Sequence, residues 1–217
     1  MNLLLEDLLY VLGTVGALLP IVNPFSAVGL VVGITSHLSE AERKEQIRRA
    51  CIYMFWILTS FLVAGGLIMN FFGISIPGLR IAGGLVVSFL GFGMLFPDQS
   101  AAYGTERIEA QNKRDISFTP LAMPSLSGPG SIAVVVGMST TVQNGEHPII
   151  DNILVAVGIA ITALISYIVL RAATRLDKLL GTTGMNAVAR IMGFMLICIG
   201  VQFIINGVLE IASGWRG

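Results

Sequence analysis

Six long apolar runs are the feature that most restricts what this chain can fold into. Each reaches the roughly 18 residues that indicate a membrane-spanning helix. They make up most of a 217-residue sequence in which only 12% of the residues are charged. We therefore predict an all-α membrane protein with six transmembrane helices. The predicted spans cover residues 8–35, 50–72, 74–96, 116–142, 153–170 and 188–212.

The basic residues are distributed unevenly between the two ends of these predicted spans. With the spans alternating in direction, only Arg80 and Arg216 fall on the side of the N-terminus, and the other eleven lysines and arginines fall on the opposite side. Cytoplasmic loops of membrane proteins carry such an excess of basic residues. We therefore expect both termini to face away from the cytoplasm.

Two of the spans contain prolines that interrupt a helix. Pro20 and Pro24 bracket Asn23, and Pro124 and Pro129 bracket a second interruption. Proline removes a backbone donor and disfavours helical angles at the residue before it. Within lipid the freed carbonyl groups need protein partners, so such a break persists only where it is buried or lines a cavity. We predict that helices 1 and 4 are broken near the midplane of the membrane.

The candidate binding residues surround these two breaks. Asn23 could be an N-cap that also binds a substrate or ion, or it could be an N-cap alone. The sequence favours the two alternatives equally. The serines could present hydroxyl groups to a substrate or bond back to helix carbonyls. Glycines here let the backbone approach either a ligand or another backbone. The predicted substrate-binding residues are Asn23, Pro24, Ser26, Ser127, Gly128, Pro129, Gly130, Ser131 and Gln202.

Four long polar side chains in helices 3 and 6 form a second group. Gln202 and Asn206 lie one turn apart near the midplane, where amides must be bonded. A bond to another helix is favoured slightly over a bond to a ligand. Arg80 and Arg190 lie near span ends and can extend toward the interface. We predict that Arg80, Arg190 and Asn206 are gate or helix-interface residues.

The two halves of the chain resemble each other. Residues 1–97 and 116–217 each hold three predicted spans, with Arg80 and Arg190 in corresponding places, and a cytoplasmic linker at 98–115 joins them. Because three is odd, the second half must enter the bilayer from the opposite side, which makes an inverted repeat. Glycines seven residues apart keep one helix face bare for close packing. These glycines are Gly84 and Gly91 in helix 3, and Gly193, Gly200 and Gly207 in helix 6.

Several classes of protein are disfavoured by what the spans lack. No Asp, Glu, Lys or His falls in the middle of a predicted span, and proton-coupled pumps normally need such a group in their path. No nucleophile has a membrane-embedded base, and Cys51 and Cys198 do not have metal-ligand spacing. We expect no enzymatic activity, no cofactor, no metal and no nucleic-acid partner.

The motifs together resemble the MarC family of membrane proteins. The stretches that carry the resemblance are Leu19-Pro20-Ile21-Val22-Asn23-Pro24, residues 72–84, Pro120-Leu121-Ala122-Met123-Pro124 with Gly128-Pro129-Gly130, and residues 190–193 and 200–207. The resemblance implies a six-helix, multi-pass protein of the bacterial inner membrane, in which the distribution of basic residues would place both termini in the periplasm. It also implies transport of small neutral amino acids such as alanine and glycine, with which some members of the family are associated. Other members have a glycine after the Asn-Pro pair, where this chain has Phe25.

A small zwitterion fits both the resemblance and the residues. Two opposed half-helix N-termini would suit a carboxylate, and unwound carbonyls near Pro20 to Val22 and Pro124 to Ser127 could hold an ammonium group or Na⁺. We therefore expect a secondary transporter or exporter of small neutral solutes that works by alternating access. Na⁺ as a coupling ion and a homo-oligomer are left open. The alternative is a non-transporting membrane scaffold or lipid-interacting protein.

Overall fold

The computed structural model describes residues 2–35, 37–96, 115–143 and 147–214. Every regular element in those ranges is helical, which confirms the predicted all-α class. The helices are α1 (Asn2–Val22), α2 (Pro24–Ile34), α3 (Glu40–Phe72), α4 (Ile76–Leu95), α5 (Pro129–Gln143), α6 (Pro148–Arg171) and α7 (Ala173–Gly214). An irregular segment, Ser117–Leu126, precedes α5 and is called the wide-turn segment below. All but the last residue of the predicted linker at 98–115 lies outside the described residues.

Five helices of the described part are long and apolar enough to cross a membrane: α1, α3, α4, α6 and α7. The wide-turn segment and α5 pass the same test as a pair bent by 64°, which makes six spans in the described part if this pair is one broken span. The 11-residue α2 is apolar but too short to span alone. It follows α1 directly, so α1 and α2 together cover the predicted first span.

The amino-terminal end of α3 extends the second predicted span by ten residues, to Glu40. Ser39 begins this helix with a capping box, in which its hydroxyl accepts from the Glu42 N–H and the Glu42 carboxylate accepts from the Ser39 N–H at 2.9 Å. Pairs one turn apart, Lys44 with Glu40 and Arg49 with Glu45, stabilise the exposed turns that follow. This charged extension is the solvated lead-in to the second span.

The interior of the bundle forms where α3 faces the wide-turn segment, α5 and α6. Met54, Leu58 and Leu62 on α3 are almost completely buried there, as are Leu121 and Ile159. By contrast α4 and α7 make most of their contacts with each other. The bundle therefore has a packed centre around α3 and a closely joined pair, α4 and α7, against one side.

The glycines of α4 and α7 face each other across an antiparallel contact. A Cβ added at Gly84 would lie 2.5 Å from the carbonyl oxygen of Gly200, and one added at Gly200 would lie 2.5 Å from that of Gly84. Gly91 and Gly193 stand in the same reciprocal relation, at 2.6 and 2.8 Å. The predicted bare glycine faces are confirmed, and each is covered by the other helix.

The last helix is longer than predicted and contains a break. α7 begins at Ala173 rather than near residue 188, and Gly181 interrupts it with φ 61° and ψ −178°. That left-handed φ is open to glycine without a steric cost. The membrane-spanning part is Thr183–Ser213, which contains the predicted span.

We predict that Gly84→Ala destabilises the protein although alanine is the better helix former. Its Cβ would meet backbone atoms of α7, and overpacking of this kind costs about 1–3 kcal/mol. The measurement is thermal unfolding of the detergent-solubilised protein. Gly93→Ala is the matched control, because a Cβ at this α4 position meets no heavy atom within 4 Å. Equal unfolding temperatures for the two variants would contradict the close approach of α4 and α7.

Candidate functional site

The first break is a single residue, Asn23, between α1 and α2. Its φ of 45° and ψ of 63° place it in the left-handed region, and it is the one non-glycine residue with positive φ in the described part of the chain. Asparagine tolerates this conformation better than most residues, because its short side chain can hydrogen-bond locally. The predicted interruption of the first span is therefore present and lies at Asn23.

Pro20 does not end the first helix, contrary to the prediction. α1 continues through Pro20 to Val22, and the Asn23 N–H still donates to the Leu19 carbonyl at 3.0 Å. A proline removes one bond to the preceding turn, but its own φ is compatible with a helix. The predicted unwound carbonyls from Pro20 to Val22 are therefore helical. Among them, the Pro20 carbonyl loses its usual i+4 donor, because residue 24 is a proline.

The Asn23 side chain acts as an N-cap. Its Oδ1 accepts from the Ser26 N–H at 3.3 Å, and its Nδ2 donates to the Ser26 hydroxyl at 2.9 Å. Nδ2 also lies 3.3 Å from the sulfur of Met94 on α4. Asn23 is 5% exposed, so these contacts hold a buried amide against α4. The cap is confirmed, and a ligand role for Asn23 and Ser26 stays a prediction.

The second break is wider than the first. In the wide-turn segment the peptide bonds before Pro120 and Pro124 are cis. Two hydrogen bonds that span five residues, from the N–H groups of Leu121 and Ser127, replace part of the regular ladder. Asp115 anchors the start of the segment, where the hydroxyl and the backbone N–H of Ser117 lower the pKa of its carboxyl. The chain then turns through Ser127 and Gly128 into α5.

Two serines at the end of this second break, Ser127 and Ser131, are deeply buried. Ser127 is 0% exposed, and its hydroxyl makes no hydrogen bond to any described residue. The Ser131 hydroxyl donates to the Leu126 carbonyl at 3.4 Å. Ser131 therefore bonds back to a backbone carbonyl beside the break, which is one of the two predicted alternatives for the serines. The Ser127 hydroxyl, by contrast, is still able to bond a further group.

The two glycines of the second break allow close approach of protein to protein. A Cβ at Gly128 would lie 2.8 Å from the Pro124 carbonyl oxygen. One at Gly130 would lie 3.1 Å from Val87 of α4 and 3.3 Å from Ile21 of α1. Of the two predicted reasons for these glycines, the structure shows contact with other parts of the chain.

The two breaks lie side by side against α4. Ile21, two residues before Asn23, touches the first turn of α5 at Gly130. Met94 of α4 contacts Asn23, and Val87 of α4 contacts Gly130. The interrupted ends of two separate spans are thus brought together, with α4 as their common support.

A cavity of about 460 Å³ lies between this junction and the end of the molecule where α1 begins and α7 ends. It reaches Ala17 on α1 and Ala133 on α5. At about 1.5 Å per residue these positions are roughly 9 Å from Asn23 and 6 Å from Pro129 along their helices. Its lining residues are Leu9, Tyr10, Gly13, Thr14, Ala17, Leu79, Arg80, Gly83, Ala133, Val134, Gly137, Met138, Thr141, Val155, Phe203 and Asn206.

The predicted site residues divide between the breaks and this cavity. Arg80 and Asn206 line the cavity, whereas the predicted serines, glycines and prolines lie at the breaks. Arg190 is exposed on α7 and is not among the lining residues. The Gln202 amide donates to Asn206 at 2.8 Å. The expected bond between helices is therefore wrong for this pair. Side chains four residues apart on one helix are neighbours, so Gln202 and Asn206 bond each other.

Sequence reasoning missed one charged partner of the cavity. Arg80 pairs with Glu210 on α7, and both side chains are a little over one-third exposed. Glu210 lies near the end of the last predicted span, where the sequence alone does not single it out as a partner of Arg80. The glycine spacing contained a signal, because pairing the two stripes in antiparallel register brings the start of α4 to the end of α7. Tyr10, Thr14 and Thr141 were missed for the same reason, since only packing makes them neighbours.

An all-helical chain with five or six apolar spans and a junction of interrupted helices at its centre is a polytopic integral membrane protein. Comparison with known proteins gives the family. Residues 9–212 match the model of the MarC family integral membrane proteins, and the chain belongs to that family.

The relatives are close and cover nearly the whole chain. The UPF0056 inner membrane protein MarC of Citrobacter koseri is 46% identical over 207 residues, which is 92% of this chain and 94% of that protein. The proteins of the same name from Salmonella typhimurium and Escherichia coli O1:K1 are 46% and 44% identical, with the same coverage. No solved structure matches the chain.

We predict that Asn23→Ala destabilises the protein by about 2 kcal/mol. It removes the N-cap, which is worth about 1 kcal/mol, and places a Cβ-bearing residue without a local bond in the left-handed region. Asn23→Gly should cost less than Asn23→Ala, because glycine tolerates that conformation. Thermal unfolding in detergent measures both, with the exposed Asn70→Ala as control. If glycine were the more damaging substitution, the left-handed cap would be wrong.

Proposed function

We propose that this protein is a secondary transporter or exporter of small neutral solutes, with neutral amino acids as its substrate class. Alternating access would expose a site between the two breaks first to one side of the membrane and then to the other. The observation that carries the proposal is the junction of Asn23 and Gly130 against α4, with a cavity leading toward it from one end. Discontinuous helices in this arrangement commonly form transporter binding sites.

The glycine contacts of α4 and α7 support an inverted repeat as the basis of the transport cycle. A shift of 109 residues, one less than the 110 that relates Arg80 to Arg190, takes Gly84 to Gly193 and Gly91 to Gly200. Gly84 contacts Gly200, and Gly193 contacts Gly91, so exchanging the two halves reproduces the same contacts. A two-fold axis in the membrane plane has this property, and rocking of one half against the other about such an axis gives alternating access.

The chemistry of the breaks fits a zwitterion. The N-termini of α2 and α5 carry partial positive charge and would attract a carboxylate. The Ser127 hydroxyl is buried without a bond, and the Pro20 carbonyl lacks its helical donor, so each is able to bond a ligand. In this proposal Asn23, Pro24, Ser26, Ser127, Gly128, Pro129, Gly130 and Ser131 surround the substrate, and Na⁺ is a candidate coupling ion.

The close packing at the junction favours a second candidate function. Gly130 already touches Ile21 and Val87, and the Asn23 amide is engaged by Ser26. A non-transporting membrane scaffold or lipid-interacting protein would need the breaks for packing alone. If that function is correct, replacing the polar side chains at the junction would leave every measured flux and phenotype unchanged.

Flux measurements test the two candidates against each other. Purified protein in liposomes should take up or exchange radiolabelled alanine or glycine. We predict that Asn23→Ala lowers this rate about tenfold, the loss expected for one hydrogen bond to a charged ligand group. Asn70→Ala is the control. Absence of both flux and binding for a broad set of small zwitterions would overturn the transport proposal.

We predict that Ser127→Ala separates function from stability. An unbonded buried hydroxyl costs free energy, so its removal should leave the unfolding temperature unchanged or raise it. The same change should lower alanine flux about tenfold if the hydroxyl bonds the substrate. Ser131→Ala is the comparison, because that hydroxyl bonds Leu126. Full flux in Ser127→Ala would remove this residue from the proposed site.

A further inference from the structure

Arg80 is the one charged residue among the described residues that line the cavity. Its guanidinium pairs through Nη1 with Glu210, which lies one turn beyond the cavity-lining Asn206 on α7. A guanidinium has five N–H donors in a planar fork that matches a carboxylate. The contact with Glu210 therefore involves only one corner of a group built for bidentate binding. A cation at the cavity wall thus has an anion beside it, and the other described lining residues are uncharged.

The fold does not depend on this pair to hold α4 against α7. Those helices are joined by the reciprocal glycine contacts at Gly84 with Gly200 and at Gly91 with Gly193. An ion pair that is more than one-third exposed adds little to stability, because water screens the attraction between its charges. Placing two charges in a membrane protein is costly, and such residues commonly mark a pathway for a ligand. A binding role accounts for the pair better than a stabilising one.

We propose that Arg80 and Glu210 form an outer docking site for the α-amino and α-carboxylate groups of a zwitterion. The substrate carboxylate would bind the Arg80 guanidinium, and its ammonium group would bind the Glu210 carboxylate. Four charges would then alternate in sign, so neither protein charge loses its counter-ion when the ligand enters. This inference rests on the proposed function and adds to it a second, more external site.

The surroundings of the pair fit this ligand class. The cavity of about 460 Å³ lies within the range of small-molecule sites, which is about 300–1,000 Å³. Tyr10, Thr141 and Asn206 add polar groups to its wall, and the rest of the lining is mainly apolar. Val87, which contacts the junction at Gly130, lies seven residues beyond Arg80 on α4. At about 1.5 Å per residue that places the junction roughly 10 Å deeper than the docking site.

Calorimetric binding of three probes to the detergent-solubilised full chain tests the site. The probes are L-alanine, propionate, which lacks the ammonium group, and L-alaninamide, which lacks the carboxylate. Arg80→Gln should weaken L-alanine binding about tenfold or more, the effect of losing a charge-assisted contact. Glu210→Gln should do the same. The wild type should prefer L-alanine to both of the other probes, because only L-alanine satisfies both charges.

Two further variants keep the result interpretable if a charge deletion impairs folding. Arg80→Lys retains the positive charge but not the planar fork, so L-alanine affinity should fall several-fold while the unfolding temperature stays near that of the wild type. Arg175→Gln is the matched control for loss of an arginine, because Arg175 is exposed and does not line the cavity. A fall in unfolding temperature with unchanged affinity would mean that the pair is structural, and the inference would be wrong.

The outcomes also separate this inference from the proposed function. An outer site distinct from the junction is supported if Arg80→Gln loses L-alanine binding and Ser127→Ala keeps it, while both variants lose flux. Suppose instead that the wild type carries L-alanine and that flux and binding are unchanged in Arg80→Gln and Glu210→Gln. That result overturns the outer site and leaves the transport proposal standing. A wild type that neither binds nor carries any of the zwitterions overturns both.

Discussion

Hydrocarbon offers no hydrogen-bond partner to a peptide group, and this constraint governs where a membrane helix can be interrupted. The first break meets it with a single left-handed asparagine, whose side chain caps the helix that follows. The second meets it in part with hydrogen bonds spanning five residues, donated by the N–H groups of Leu121 and Ser127. Asn23 is buried against α4, and the wide-turn segment packs mainly against α3, so protein covers much of the irregular backbone at both breaks.

The position of α4 depends in turn on its contact with α7. Glycines on both helices bring backbone against backbone, at a distance where any Cβ would collide with a carbonyl group. Because the contact is so close, one face of α4 is committed to α7 and the neighbouring face is left to support Asn23 and Gly130. The same antiparallel register brings Arg80 to Glu210 beside the cavity.

Cavity and junction are adjacent but separate. The cavity stops at Ala17 and Ala133, a turn or two short of the breaks, and its lining includes none of the predicted residues of the junction. Buried hydrophobic side chains, among them Leu18 and Val22, occupy the junction side of α1. In the proposed transport cycle, this arrangement would be the state in which the cavity is open and the site at the junction is closed.

The sequence by itself determined the spans and the places of their interruption, because apolar length and proline chemistry act locally. It also determined the bare glycine faces, since the spacing of seven residues is a property of one helix. Only the tertiary structure decided that the two glycine stripes cover each other, that Pro20 stays helical, and that Gln202 bonds within its own helix. It alone paired Arg80 with Glu210, 130 positions away, because contacts between distant segments depend on packing that no local pattern encodes.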